Sequence, residues 1–252
     1  PQAKTTELIA GALHVSRFGT YATATGGDIE RALRLYLWNV QLSSAFHASL
    51  GLLEVLLRNA IDRELREWMR SSFVQTEVST RPNDCSTLRA VEHIDSDVAK
   101  DRGGQRRQGQ GCATQRASCK HSPITHDDVL AQLTFGVFVR LLPVGDAADK
   151  TYRARRVLWE QALIHAFPGE DGDNADDVVA GRAHRLLALR NRVAHMEPLL
   201  AVNAKARHRD AVRLVGAINP ALQGWFAGVS RVREVNGSGQ HEHGRSSLTP
   251  KM

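Results

Sequence analysis

A long run without proline, from Asp28 to about Arg70, constrains the fold of this chain more than any other feature. Within it, large apolar residues recur at steps of three or four: Leu42, Phe46, Leu50, Leu53, Leu57, Ile61, Leu65 and Trp68. This spacing places them on one face and predicts a long amphipathic helix. Asp28, after two glycines, is an N-cap candidate for a segment from Ile29 to about Val40. That segment either joins the long helix or meets it at a bend near Ser43.

Further helices are predicted downstream. Thr125 to Asp128 resembles a capping box, and apolar residues follow on one face up to Pro143. Three more helical blocks span about Asp149 to Ala166, Ala175 to His195 and Ala204 to Ile218. Because no alternating strand run or hairpin pair is visible, the sequence predicts an all-α fold, an irregular helical bundle.

One helical domain is expected over residues 1–235, with its core at about 28–230. Apolar periodicity weakens over 79–121, and the glycine, glutamine and arginine bias from Asp101 to Gly111 predicts a flexible insertion there. Within it, a short helix from about Ser86 to Lys100 is expected to precede Asp101. The insertion is also basic, so it is either a solvated loop or an electrostatic arm for RNA. Residues 236–252 are expected to form a disordered tail.

Charge and cysteine content narrow the function classes. The formal net charge of +6 favours an acidic partner such as RNA or DNA, although net charge alone is weak evidence. We expect a cytoplasmic protein without membrane association, because no stretch of 18 to 20 uninterrupted apolar residues and no signal-peptide pattern is visible. Three cysteines, Cys85, Cys112 and Cys119, make no disulfide framework, and with His121 they fit no zinc spacing. The sequence therefore predicts neither a metal site nor a cofactor.

The sharpest motif is Arg190-Asn191-x3-His195, shortly before Pro198. Proline disfavours helix at the residue before it, so His195 is expected in the last helical turn or just beyond. RNA cleavage by the neighbouring 2′-hydroxyl needs a base, an acid and a positively charged group beside the negatively charged phosphorane. Histidine and arginine supply these. The structural alternative is that His195 merely caps a helix C-terminus, where a cation is favourable.

A second Arg-Asn pair, Arg58 and Asn59, follows Glu54 by one helical turn. An ion pair between Glu54 and Arg58 is the plain interpretation. The functional alternative is that Arg58 contacts phosphate, whose geometry a guanidinium group matches. Arg58, Asn59 and Arg192 are therefore the candidates for substrate binding.

These blocks resemble the Abi-like (abortive-infection) proteins of the HEPN superfamily. Arg190, Asn191 and His195 match the family's R-N-x3-H pattern within LRNRVAHMEPLL. Three other blocks are similar in the same order: YLWNVQLSSAFHASLGLLEVLLRNAID, LTFGVFVRLLP and LWEQALIHAFP. The resemblance extends over most of the chain from Asp28 to about Pro198.

The resemblance implies a HEPN-type helical bundle, often a metal-independent ribonuclease whose composite site forms across a homodimer. It predicts a cytoplasmic endoribonuclease of abortive-infection or toxin type. His195 would be the general acid and base, Arg190 would stabilise the phosphorane, and Asn191 would orient them. RNA and a second copy of the chain are the expected partners; an antitoxin or defence partner is not identified by the sequence. The alternative function is a non-catalytic helical module that binds RNA or a protein in phage defence.

Overall fold

The computed structural model describes residues 2–78, 125–145 and 148–243. The regular structure in these ranges is helical, with no strand, so the all-α prediction is confirmed for them. The helices are α1 (Gln2–Ala12), α2 (Val15–Ala24), α3 (Ile29–Val78), α4 (His126–Gln132), α5 (Phe135–Arg140), α6 (Lys150–Gln161), α7 (Ala175–Ala194), α8 (Ala204–Ile218), α9 (Pro220–Val229) and α10 (Val232–His243). The predicted insertion at 79–121, with its short helix, its cysteines and its basic residues, lies outside the described residues.

Helix α3 is one uninterrupted helix of 50 residues, so the chain does not bend near Ser43. Asp28 caps it, because its carboxylate accepts a hydrogen bond of 3.0 Å from the backbone N–H of Arg31. The predicted apolar face is the buried face, from Leu42 through Ile61, whereas Leu65 and Trp68 are half-buried. The apolar periodicity thus predicted both the helix and the face of it that is buried.

The part of α3 between Leu35 and Leu53 carries no Asp, Glu, Lys or Arg. Of the helices in the described ranges, α3 is the one long and apolar enough to cross a membrane by length and composition, with a mean hydropathy of 1.4 over its most apolar window. Core helices of soluble proteins meet the same criterion, and 44% of that window is buried within the protein. The criterion alone therefore does not indicate a membrane span.

The chain divides into two compact units. The first unit contains residues Pro1–Asn59 and Phe167–Met252. In it, α8 packs against α7, α9 and α10. Phe18 and Tyr21 of α2 are buried beside Leu35 of α3, so the core begins before residue 28. This unit contains all the residues that the sequence nominates for function.

The second unit, Ala60–Ala166, contains the rest of α3 and α4 to α6. The capping box forms as predicted, since Thr125 and Asp128 each accept a hydrogen bond from the other's backbone N–H. The single helix expected up to Pro143 is wrong, because Leu133 and Thr134 are extended and separate α4 from α5. The break allows Phe135 and Phe138 to be buried.

Two boundaries differ from the expected ones. The helix predicted from Asp149 to Ala166 ends at Gln161, and a short 3₁₀ helix, Leu163–Ala166, follows. Helix α10 continues to His243, so the prediction of a disordered tail is wrong for residues 236–243. This helix is anchored because Val235 is buried and its carbonyl accepts a hydrogen bond of 3.1 Å from Trp38 Nε1.

Candidate functional site

The R-N-x3-H motif lies at the C-terminal end of α7. The helix starts with Asp176 and Asp177 in its first turn, where carboxylates favour the positive end of the helix dipole. It ends at His195, whose backbone N–H donates a hydrogen bond of 3.1 Å to the carbonyl of Asn191. His195 is the C-cap residue, which confirms the position that Pro198 predicts.

The turn after α7 is a Schellman motif. Met196 donates its backbone N–H to Val193 O at 3.1 Å, and Glu197 donates to Arg192 O at 2.9 Å. Met196 adopts a φ of +52°, in the left-handed region that favours glycine. A non-glycine residue there costs on the order of 1 to 2 kcal/mol, so other contacts must hold the turn.

Arg192 provides one of these contacts. Its Nε lies 3.3 Å from Glu197 Oε2, and its Nη2 donates a hydrogen bond of 3.2 Å to Pro198 O. The guanidinium group therefore bridges the last turn of α7 and the chain beyond it. Arg192, a candidate for substrate binding, is already engaged in holding the turn.

Asn39 of α3 provides the other contact. Its side chain is buried, and its Oδ1 accepts a hydrogen bond of 2.7 Å from the backbone N–H of Leu199. The sequence analysis missed this residue. The available signal was its position four residues after Leu35 and three before Leu42, which places an amide on the apolar face. Asn39 is a positioning residue, because it fixes the chain directly after the motif.

Replacing Asn39 with alanine is expected to lower the free energy of unfolding by about 2 kcal/mol, since the buried N–H of Leu199 loses its acceptor. Gln41→Ala, on the exposed side of the same helix, is the matched control. Urea denaturation of both variants measures the difference. Equal stability of the two variants would contradict the role given to Asn39.

The three residues with predicted catalytic roles are placed at the surface of this turn. Asn191 and His195 are exposed and Arg190 is half-buried. Among the described residues, none of their side chains has a hydrogen-bond or ion-pair partner. A further cation, Arg17 of α2, approaches the turn, with its Nη1 3.5 Å from the backbone carbonyl of His195. The end of α7 therefore presents an exposed imidazole and an exposed amide four residues apart, with the half-buried Arg190 directly before the amide.

The remaining candidates lie elsewhere. Arg58 is half-buried and Asn59 is exposed, both on α3 and not in the turn after α7. Arg190, Asn191, Arg192 and His195 thus lie within six residues at the C-terminal end of α7, while the second Arg-Asn pair belongs to another helix.

The described residues also form a cleft that is separate from the candidate residues. It has a volume of about 700 Å³ and lies between α3, α9 and α10, and none of the six candidate residues lines it. Within residues 2–78, 125–145 and 148–243, no group of three or more His, Cys, Asp or Glu side chains could hold a metal ion.

Comparisons with known proteins leave the family open. The likeness to Abi-like HEPN proteins stays a prediction from the sequence blocks and the R-N-x3-H motif. Neither a family model nor a curated protein nor a solved structure matches the chain.

Proposed function

We propose that this chain is a metal-independent endoribonuclease of the abortive-infection type, with its site at the end of α7. The observation that carries the proposal is the exposed imidazole of His195, which has no hydrogen-bond or ion-pair partner among the described residues. Asn191 lies four residues before it, on the same face of α7, and Arg190 directly precedes Asn191.

The chemistry follows from these three side chains. Imidazole exchanges protons near neutral pH, so His195 removes the proton of the ribose 2′-hydroxyl. The 2′-oxygen then bonds to the adjacent phosphorus, and the bond from phosphorus to the 5′-oxygen breaks. Arg190 stabilises the negative charge of the phosphorane, and Asn191 orients the reacting groups. The departing 5′-oxygen takes up a proton, which leaves a 2′,3′-cyclic phosphate and a 5′-hydroxyl.

A second copy of the chain completes the site in this proposal. One motif supplies a single imidazole, whereas simultaneous proton removal and proton donation are easier with two. An isologous dimer brings two identical turns together across its two-fold axis. A protein that cleaves RNA as a strict monomer in light scattering would contradict this part of the proposal.

The testing experiment is incubation of the purified protein with mixed RNA in the presence of chelator. Cleavage is expected, with cyclic phosphate and 5′-hydroxyl ends, because the neighbouring 2′-hydroxyl is an intramolecular nucleophile. DNA has no such group and is expected to stay intact. A requirement for magnesium, or 5′-phosphate ends, would contradict the mechanism. RNA binding without cleavage would instead support the non-catalytic RNA-binding module.

A further inference from the structure

We infer that a row of cations on α8, formed by Lys205, Arg209 and Arg213, binds the phosphate backbone of single-stranded RNA. The inference rests on the proposed function, because that function names RNA as the ligand. The three residues follow one another at steps of four, and all are exposed. At a rise of 1.5 Å per residue, their Cα atoms are spaced about 6 Å apart along the helix. A row of this kind can follow successive phosphates of an extended strand.

Up to residue 215 the row lies opposite the buried face of α8; the residues that follow, Gly216 to Ile218, are all buried. Ala204, His208, Ala211, Leu214 and Val215 are buried, and the helical period places the three cations away from them. Lys205 is in the first turn of α8, soon after the turn that carries His195. The row therefore begins close in the chain to the proposed catalytic residues.

The acid on α8 does not neutralise this row. Asp210 is the only carboxylate residue of the helix. Both of its oxygens accept hydrogen bonds of 3.1 Å from Arg185 of α7, and Arg207 Nη1 lies 3.1 Å from its Oδ2. In the part of the chain that the structure describes, Lys205, Arg209 and Arg213 have no ion-pair partner.

The electrostatics of the row oppose folding rather than support it. Like charges at i,i+4 on a helix surface destabilise the helix, and among the residues that the structure describes no acid is paired with these cations. A polyanion would relieve this repulsion by placing phosphates along the row.

Single-stranded RNA is favoured over an acidic protein for two reasons. The row is a line of cations at regular spacing, which suits a backbone with regularly spaced charges. Its first residue, Lys205, also lies at the start of α8, ten residues after His195 in the chain.

The test compares two triple variants, each in a His195→Ala background so that the RNA stays intact. In the first, Lys205, Arg209 and Arg213 are replaced with glutamine. The control is Arg34→Gln, Arg70→Gln and Arg231→Gln, which removes the same charge from exposed arginines that are paired with Glu30, Glu67 and Glu234. Fluorescence anisotropy with a single-stranded RNA oligonucleotide gives Kd at several salt concentrations.

The row variant is expected to bind at least tenfold more weakly at low salt, and its slope of log Kd against log salt should fall by about 2, since each phosphate contact contributes about 0.7. The control should keep nearly the slope of the parent. Circular dichroism checks that both variants remain helical. Equal slopes for the two variants would overturn the inference. An RNA affinity of the row variant equal to that of the parent would also overturn it, and would leave an acidic protein as the ligand of the row.

The outcomes also separate this inference from the proposed function. If the wild-type protein cleaves RNA but the row and control variants bind RNA equally, the RNA-binding role of the row is contradicted and the proposed ribonuclease function is not. If RNA binding depends on the row but the wild-type protein does not cleave RNA, the RNA-binding role of the row is supported and the proposed ribonuclease function is contradicted. A wild-type protein that neither binds nor cleaves RNA would overturn both.

Discussion

Replacing His195 with alanine is expected to abolish RNA cleavage in chelator while the helical content stays unchanged. General acid and base catalysis by a positioned side chain contributes about 10²- to 10⁴-fold, and His195 is the one imidazole of the motif. Arg190→Ala should reduce the rate nearly as far, because removing a charge-stabilising donor costs about 10²- to 10³-fold. Asn191→Ala should have a smaller effect, since an amide orients rather than transfers a proton. Initial cleavage rates and far-UV circular dichroism measure these effects.

The matched control is His47→Ala, which removes another exposed histidine, on α3. Its cleavage rate is expected to equal that of the wild-type protein. Because the side chains of His195 and Asn191 are exposed and make no hydrogen bond or ion pair with the described residues, their removal should not change the free energy of unfolding much. Cleavage that survives His195→Ala would remove the mechanism.

Mixing the two inactive variants tests the composite site. In a heterodimer of His195→Ala and Arg190→Ala subunits, one subunit keeps its arginine and the other keeps its histidine. A site shared between two copies would therefore regain part of its activity. Two sites that each use a single subunit would regain none, and that result would leave the chemistry standing while contradicting the shared site.

The fold was predictable where local rules and tertiary packing agree. The apolar period of α3 and the proline after His195 fixed a helix face and a helix end correctly. The rules failed between Leu133 and Thr134, because the apolar spacing continues through a point where the backbone is extended. They also missed α2, whose Phe18 and Tyr21 are buried only because α3 packs against them.

The site was predictable as a set of residue types and not as a set of contacts. Spacing alone placed Asn191 and His195 on one face of α7. The contacts of Asn39 with Leu199 and of Arg17 with His195 join residues far apart in the sequence. No periodicity or local motif specifies such pairs, because they depend on how the helices pack.

Gly169 illustrates a constraint of this tertiary kind and leads to the largest expected change in stability. Its backbone N–H donates a hydrogen bond of 2.8 Å to Ala217 O of α8. A Cβ atom at residue 169 would lie 2.1 Å from the carbonyl oxygen of Gly216 and 3.0 Å from Pro220 Cγ. The backbone oxygen cannot turn aside as a flexible side chain can. Gly169→Ala is therefore expected to lower the free energy of unfolding by about 3 kcal/mol, as overpacking does in cores.

Gly51→Ala is the control for this prediction and should have the opposite sign. Gly51 is exposed on α3, and a Cβ there would meet nothing within 4 Å, so the close packing that could explain a glycine in this helix is not found. Alanine should raise the free energy of unfolding by about 1 kcal/mol, because it favours the helix over glycine. Urea denaturation of the wild-type protein and both variants gives the two differences. If Gly169→Ala were as stable as the wild-type protein, the chain before α7 could not lie as close to α8 as the structure places it.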